Sequence, residues 1–179
     1  MQKKSETYSK FCEFKALVEE SGKKVKALRS DNGGEYISDE FKDFCKAEGI
    51  RRELIAPHNP QQNRVAEQKN ITIVGAAWAM LHDQGLPLHL WAEACNIVVY
   101  VQNRCPHRIL GMSTSEEAYY GKKPNLSHLR IFGANIYMHV MKDARKMLES
   151  TVEVGIFVGY TDTLHNYRVY FPDSGKTIV

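Results

Sequence analysis

A chain of 179 residues has the length of one ordinary domain or two small ones, and 43% hydrophobic with 25% charged residues is the composition of a soluble globular protein. The balance of 24 Lys and Arg against 21 Asp and Glu, net +3, permits a nucleic-acid partner without arguing for one. A polar opening stretch, the absence of any apolar run of membrane-spanning length, and four scattered cysteines (Cys12, Cys45, Cys95, Cys105) without a CxxC pair exclude three classes. A secretory leader, a membrane anchor, and a disulfide or structural-zinc framework are not expected, and an intracellular location is.

In chain order, the spacing of Tyr8, Phe11, Cys12, Ala16 and Leu17 predicts an amphipathic helix from about Ser5 to Glu20, stopped at Ser21-Gly22. Val25–Leu28 reads as a short strand and Asp31-Asn32-Gly33-Gly34 as a turn. Phe41, Phe44 and Cys45 at helical spacing after Ser38 give a second helix ending at Gly49, and Ile50–Ile55 a second strand. Pro57–Pro60 is a loop, and Pro60 suits the opening turn of a long helix from Gln61 to about Gln84. Val65, Ile73, Ala77, Met80 and Leu81 are its expected buried face. A helix from Leu88 to Asn103 follows Pro87. A short one opens at Ser113 or Thr114, where Glu116 and Glu117 complete capping boxes.

Beyond Gly121-Lys122-Lys123-Pro124 the chain turns to strand-forming residues: Ile131–Val140, Val154–Tyr160, Tyr167–Phe171 and Thr177–Val179. These predict a small antiparallel sheet or barrel, with a domain boundary near Asn125. All its strands lie within residues 125–179, so this part is expected to fold alone. Trp78 and Trp91, at helical spacing among apolar residues, are expected in the core.

Two segments stand out for chemistry: Arg29–Tyr36 and Asn59–Asn70. Asp31 ends a predicted strand, Glu67 lies one to two turns into the long helix, and 35 residues separate them. Carboxylates so placed can converge on a divalent cation such as Mg²⁺, whose hard character suits oxygen ligands and whose charge assists phosphoryl transfer. The same residues also fit a plain Asp-Asn-Gly-Gly turn and a solvated Glu67 paired with Arg64 at i−3. Spacing leaves both readings open. The basic groups Arg51-Arg52, Arg104 with Arg108, Lys122-Lys123, and Lys142 with Arg145 and Lys146 can track a phosphate backbone or form a solvated face.

Taken together, these segments resemble the integrase region of copia-type retrotransposon Pol polyproteins. Arg29–Tyr36 is similar to the segment holding the second acid of that family's DDE triad, and Pro57–Asn70 to the segment holding the third. Leu90–Ala94, Asn103–Pro106, Gly121–Pro124, His128–Gly133 and Phe157–Tyr160 match later motifs in order. The resemblance implies an α/β fold: residues 1–124 as the C-terminal part of an RNase H-like integrase core, and 125–179 as an all-β SH3-like module. It implies Asp31 and Glu67 as catalytic metal ligands for Mg²⁺ or Mn²⁺, with Asn63, Arg64 and Lys69 beside nucleic acid. DNA (transposon ends and target) is the implied partner, the nucleus the implied site of action, and self-association an expected property.

The chain departs from the family in specific places. Residues 1–30 contain no aspartate to serve as the first acid of the triad. Arg64 stands where the family has Gly, Gln68 where it has a basic residue, and Ile71 where it has Arg; Gly75 and Trp78 are also foreign to that helix. Positioning is most of what such a site contributes to catalysis, so the 179 residues alone are expected to be inactive in end joining. A non-catalytic nucleic-acid-binding remnant, or a protein-interaction module, is the alternative.

Overall fold

The computed structural model describes residues 6–30, 33–54, 64–140, 150–161 and 166–179. Six helices and six strands occur among them: α1 (Thr7–Glu20), β1 (Ala27–Ser30), α2 (Gly34–Ile37), α3 (Asp39–Ala47), β2 (Arg51–Leu54), α4 (Arg64–Asp83), α5 (Trp91–Arg104), α6 (Ser115–Tyr120), β3 (Asn135–His139), β4 (Val152–Tyr160), β5 (Tyr167–Phe171) and β6 (Lys176–Ile178). The chain divides into two compact units, Met1–Lys69 and Asn70–Val179, with the division inside α4. Mixed helix and strand with a four-stranded antiparallel C-terminal sheet is the α/β class expected.

In the first unit β1 and β2 pair in parallel, Arg29 opposite Glu53 and Ser30 opposite Leu54, and α2 and α3 lie in the connection between them. A parallel pair needs such a crossover, because a tight turn can only reverse the chain. Helix α3 begins where the Ser38 side chain accepts a hydrogen bond from the Phe41 amide, with Asp39 and Glu40 in the first turn favouring the positive helix end. Its Phe41 and Cys45 are buried with Ile50, and Tyr8, Phe11, Tyr36 and Phe44 pack around them. Phe11 and Tyr8 each meet both Phe41 and Phe44 at 5.3–6.3 Å between ring centroids. The expected α1 face is narrower than its spacing suggested. Ala16 and Leu17 are exposed, and beside them Lys15 bridges Glu19 and Glu48 at 2.8 and 2.9 Å.

The second unit is built on one core. Ala77 and Leu81 of α4, Leu90, and Ala94, Ile97 and Val98 of α5 are buried together with Phe132, Phe157, Val158 and Tyr170. The sheet runs β3-β4-β5-β6, with a register shift between Phe157 and Gly159. Gly155 is required by close approach, since a Cβ there would run into the Val169 side chain. Gly133 has φ +84° and the Gln84 side chain against it, so both backbone and space exclude another residue.

Among the described residues, the buried side chains of the sheet share one core with α4 and α5. Three expectations are corrected. Val65 is 82% exposed and takes no part in the α4 buried face. Trp78 and Trp91 are 57% and 58% exposed instead of buried, because the inward stripe is filled by smaller residues, Ala77 and Leu81 on α4 and Ala94 and Ile97 on α5. Ile131, expected in a strand, lies in the turn before β3.

Candidate metal centre and nucleic-acid interface

Strand β1 ends at Ser30, whose buried hydroxyl has no hydrogen-bond partner among the described residues, and Asp31 and Asn32 follow outside them. Asn63 is also outside them. Glu67 is within them: it sits in the first turn of the 20-residue α4, exposed, where a carboxylate favours the positive end of the helix. Arg64 lies one turn earlier, on the same side of the helix as Glu67, and is exposed. Lys69 is exposed too, but two residues beyond Glu67 puts it about 200° round the helix axis. Arg64 and Lys69 thus serve different faces.

The carboxylate nearest β1 in the pairing is Glu53, and it is already committed. Arg29 donates to Glu53 Oε2 from both Nε and Nη2, at 3.1 and 2.8 Å, and Arg51 donates to Oε1 at 2.7 Å. These bonds, Arg29's first, hold the Glu53 carboxyl below the usual glutamate range. An anion held by two guanidiniums is a poor metal ligand, since the cation would have to displace them. Among the described residues no group of three or more His, Cys, Asp and Glu could hold a metal ion.

Several basic residues singled out by sequence are used within the fold. Arg51 is spent on Glu53. Arg52 donates to the Tyr36 carbonyl and lies 5.4 Å over the Phe41 ring. Arg104 sits 3.4 Å over the Tyr100 ring and pairs with Glu116 at 2.8 Å. Arg108, Lys122 and Lys123 are exposed, and Lys142, Arg145 and Lys146 lie outside the described residues.

The motif residues of the second unit have structural employment that sequence did not reveal. Tyr100 stacks on Tyr160 at 4.4 Å, and its hydroxyl meets His128 Nε2 at 2.7 Å. The Tyr160 hydroxyl accepts from the Arg130 amide at 2.9 Å, and the Tyr167 hydroxyl donates to the His128 carbonyl at 3.1 Å. His128 to Arg130 are thereby tied to both α5 and the sheet. Burial is the main reason the Tyr100 and Tyr160 phenols titrate above the ordinary tyrosine value. The β-rich composition pointed to the strands; nothing in it pointed to this tyrosine cluster.

Residues 134–179 match the family model described as the retroviral polymerase SH3-like domain. The whole chain is 41% identical over 179 residues to the retrovirus-related Pol polyprotein from transposon TNT 1-94 of Nicotiana tabacum, covering 99% of this chain and 14% of that protein. It is 30% identical over 177 residues to the Pol polyprotein from transposon RE2 of Arabidopsis thaliana, covering 98% and 12%. The chain is a homologue of plant copia-type Pol polyproteins. It spans about one seventh of the length of these relatives. A chain of the simian T-cell lymphotropic virus intasome, solved in complex with PP2A regulatory subunit B56 gamma, has the same fold. It gives a TM-score of 0.54 at 17% identity, over 96% of this chain and 59% of that one.

Proposed function

We propose that this chain is an integrase-region segment that contributes two carboxylates, Asp31 and Glu67, to a divalent-metal site of a DNA-joining enzyme. Homology along the whole chain to copia-type Pol polyproteins, with the motifs flanking both acids in family order, carries the reading. An exposed Glu67 on the opening turn of a long helix supports it, because a ligand must reach the ion without unfolding its support. Two hard oxygen donors suit Mg²⁺ or Mn²⁺, and such an ion would polarise a phosphate and activate the attacking oxygen. DNA is the proposed partner, met through Asn63, Arg64 and Lys69, and the nucleus the proposed place of action.

Residues 1–179 by themselves match only the second and third acids of the triad. Weak Mn²⁺ binding without end joining is therefore expected of them. Mn²⁺ binding followed by water-proton relaxation, on the wild type and on Asp31→Asn and Glu67→Gln, tests the site. Binding lost in both variants supports it; binding unchanged in both overturns it. A strand-transfer assay with precut ends should stay at background.

A second reading, a non-catalytic remnant that contacts protein, is favoured by one observation. Beside Glu67, α4 exposes the apolar side chains Ile71, Val74 and Trp78. Salt-independent association would support that reading over the first.

A further inference from the structure

Helices α5 and α6 border an open cavity of about 610 Å³ within the second unit, the size of a small-ligand cleft. Helix α5 lines it with Tyr100, Asn103 and Arg104, and α6 with Ser115, Glu116 and the Tyr119–Tyr120 pair. Tyr160 and Arg104 lie 4.4 and 3.4 Å from the centre of the Tyr100 ring, necessarily on opposite faces, so a flat stack of three groups ends at the cavity. Tyr119 and Tyr120 meet edge to face at 4.8 Å, and Tyr120 is 65% exposed. Arg104 pairs with Glu116 Oε2 at 2.8 Å, which balances the charges of the lining and leaves Oε1 to accept from a ligand. Asn103 is exposed, and no other described residue engages its amide.

We propose that this cavity binds an adenine base, carried by a free nucleoside or standing unpaired in a single strand. Its flat groups favour a planar ligand, since bases stack on phenol rings and on guanidinium planes. Its balanced charge favours an uncharged one. The polar groups then select among bases. An asparagine amide reads adenine at N6 and N7 together, and a carboxylate accepts from an exocyclic amino group. Adenine N6 carries two hydrogens, one for the Asn103 side-chain oxygen and one for Glu116 Oε1, while N7 accepts from Asn103 Nδ2. Guanine and hypoxanthine carry an oxygen at position 6, which would face the Glu116 carboxylate with no proton between them.

The site shares no residue with the proposed metal centre and stands whether or not Asp31 and Glu67 hold an ion. It reads a base and not a phosphate, because Arg104 is already held by Glu116 and Tyr100 and no other cation lines the cavity.

Calorimetric titration of the full 179-residue chain with adenosine, in metal-free solution, tests it. Saturable binding is expected, with inosine and guanosine weaker by about tenfold or more and adenosine monophosphate no tighter than adenosine. Asn103→Ala and Tyr120→Ala, both at exposed positions, should each weaken adenosine about tenfold with unchanged circular dichroism. Single-stranded oligo(dA) and its duplex with oligo(dT) distinguish the two sources. A single strand bound more tightly than adenosine and than the duplex, and weakened by Asn103→Ala, supports an unpaired base in a strand. Adenosine bound as tightly as the strand supports the free nucleoside. Absence of Asn103-dependent binding of both adenosine and the single strand overturns the proposal, and so does inosine bound as tightly as adenosine. None of these readouts involves metal, so failure here leaves the Mn²⁺ result to judge the proposed function separately.

Discussion

Glu93 on α5 accepts a hydrogen bond from Arg168 Nη2 on β5 at 2.5 Å, joining residues 75 apart in the chain. Gly159 lies against both: a Cβ added there would touch Arg168 and Glu93 Oε2. The pair fastens helix to sheet where the β4–β5 register shifts. A charge-assisted bond of this kind, partly buried, contributes about 1.5–3 kcal/mol. Glu93→Ala and Arg168→Ala should each lower stability by about that amount, and the double variant by clearly less than their sum. Denaturant unfolding of the four proteins gives the coupling; additive losses would show that the two residues do not interact in solution.

Cutting the chain before residue 126 should not release a folded module. Phe132, Phe157, Val158 and Tyr170 share their core with Ala77, Leu81, Leu90 and Ala94, so the excised sheet would expose that apolar face. The fragment 126–179 should be aggregated or lack dispersed amide resonances, while 70–179 should be folded. A well-dispersed spectrum from 126–179 would mean that the sheet can close its core without the helices.

The sequence was most legible where periodicity and capping agree. Thr114 is the N-cap of α6 and accepts from the Glu117 amide at 3.0 Å, as the Thr-x-x-Glu pattern predicts. Tyr167–Phe171 forms the strand predicted for it. Helix α2 was missed because Gly34–Ile37 is only four residues long and follows a glycine-rich turn. The two tryptophans were misplaced because helical spacing shows which residues share a face but not which face turns inward. The site is the least complete part. Motif order marked Asp31, Asn63 and Glu67, and of these only Glu67 lies among the described residues, exposed at the start of α4. The engagement of Arg52 by Phe41 and Tyr36, and of Arg104 by Glu116, depends on residues on other elements that no local pattern connects.

Acid should weaken the first unit through Glu53. Its carboxyl titrates below the usual value because Arg29 and then Arg51 donate to it. A group with a depressed folded value adds stability above its unfolded pKa, about 4.3 for glutamate, and that contribution is lost as the pH falls through the folded value. Glu53→Gln should therefore flatten the decline in stability on the acid side of about pH 4.3, while leaving its slope near neutrality unchanged. Thermal melts across pH 3 to 7 check this, and an unchanged acid limb would show that Glu53 titrates alike in folded and unfolded chains.

Ile71 gives the sharpest test of how α4 meets nucleic acid. It is one turn beyond Glu67, on the same face and exposed, so an arginine there would extend into solvent without disturbing Ala77 or Leu81 on the inward side. The resemblance to the copia-type motif implies arginine at this position. If DNA phosphates run past Glu67, Ile71→Arg adds one phosphate contact to those made by Arg64 and the other exposed bases. Each such contact steepens the dependence of log K on log salt by about 0.9. The variant should bind duplex DNA more tightly at low salt, with a slope steeper by about that amount, and the gain should disappear toward high salt. Fluorescence anisotropy at several ionic strengths, with Lys122→Ala measured alongside as a change on another element, separates a local contact from a general rise in charge. Equal slopes for wild type and Ile71→Arg would place the DNA path away from this face of α4, and Arg64 would then lose its proposed role together with Glu67.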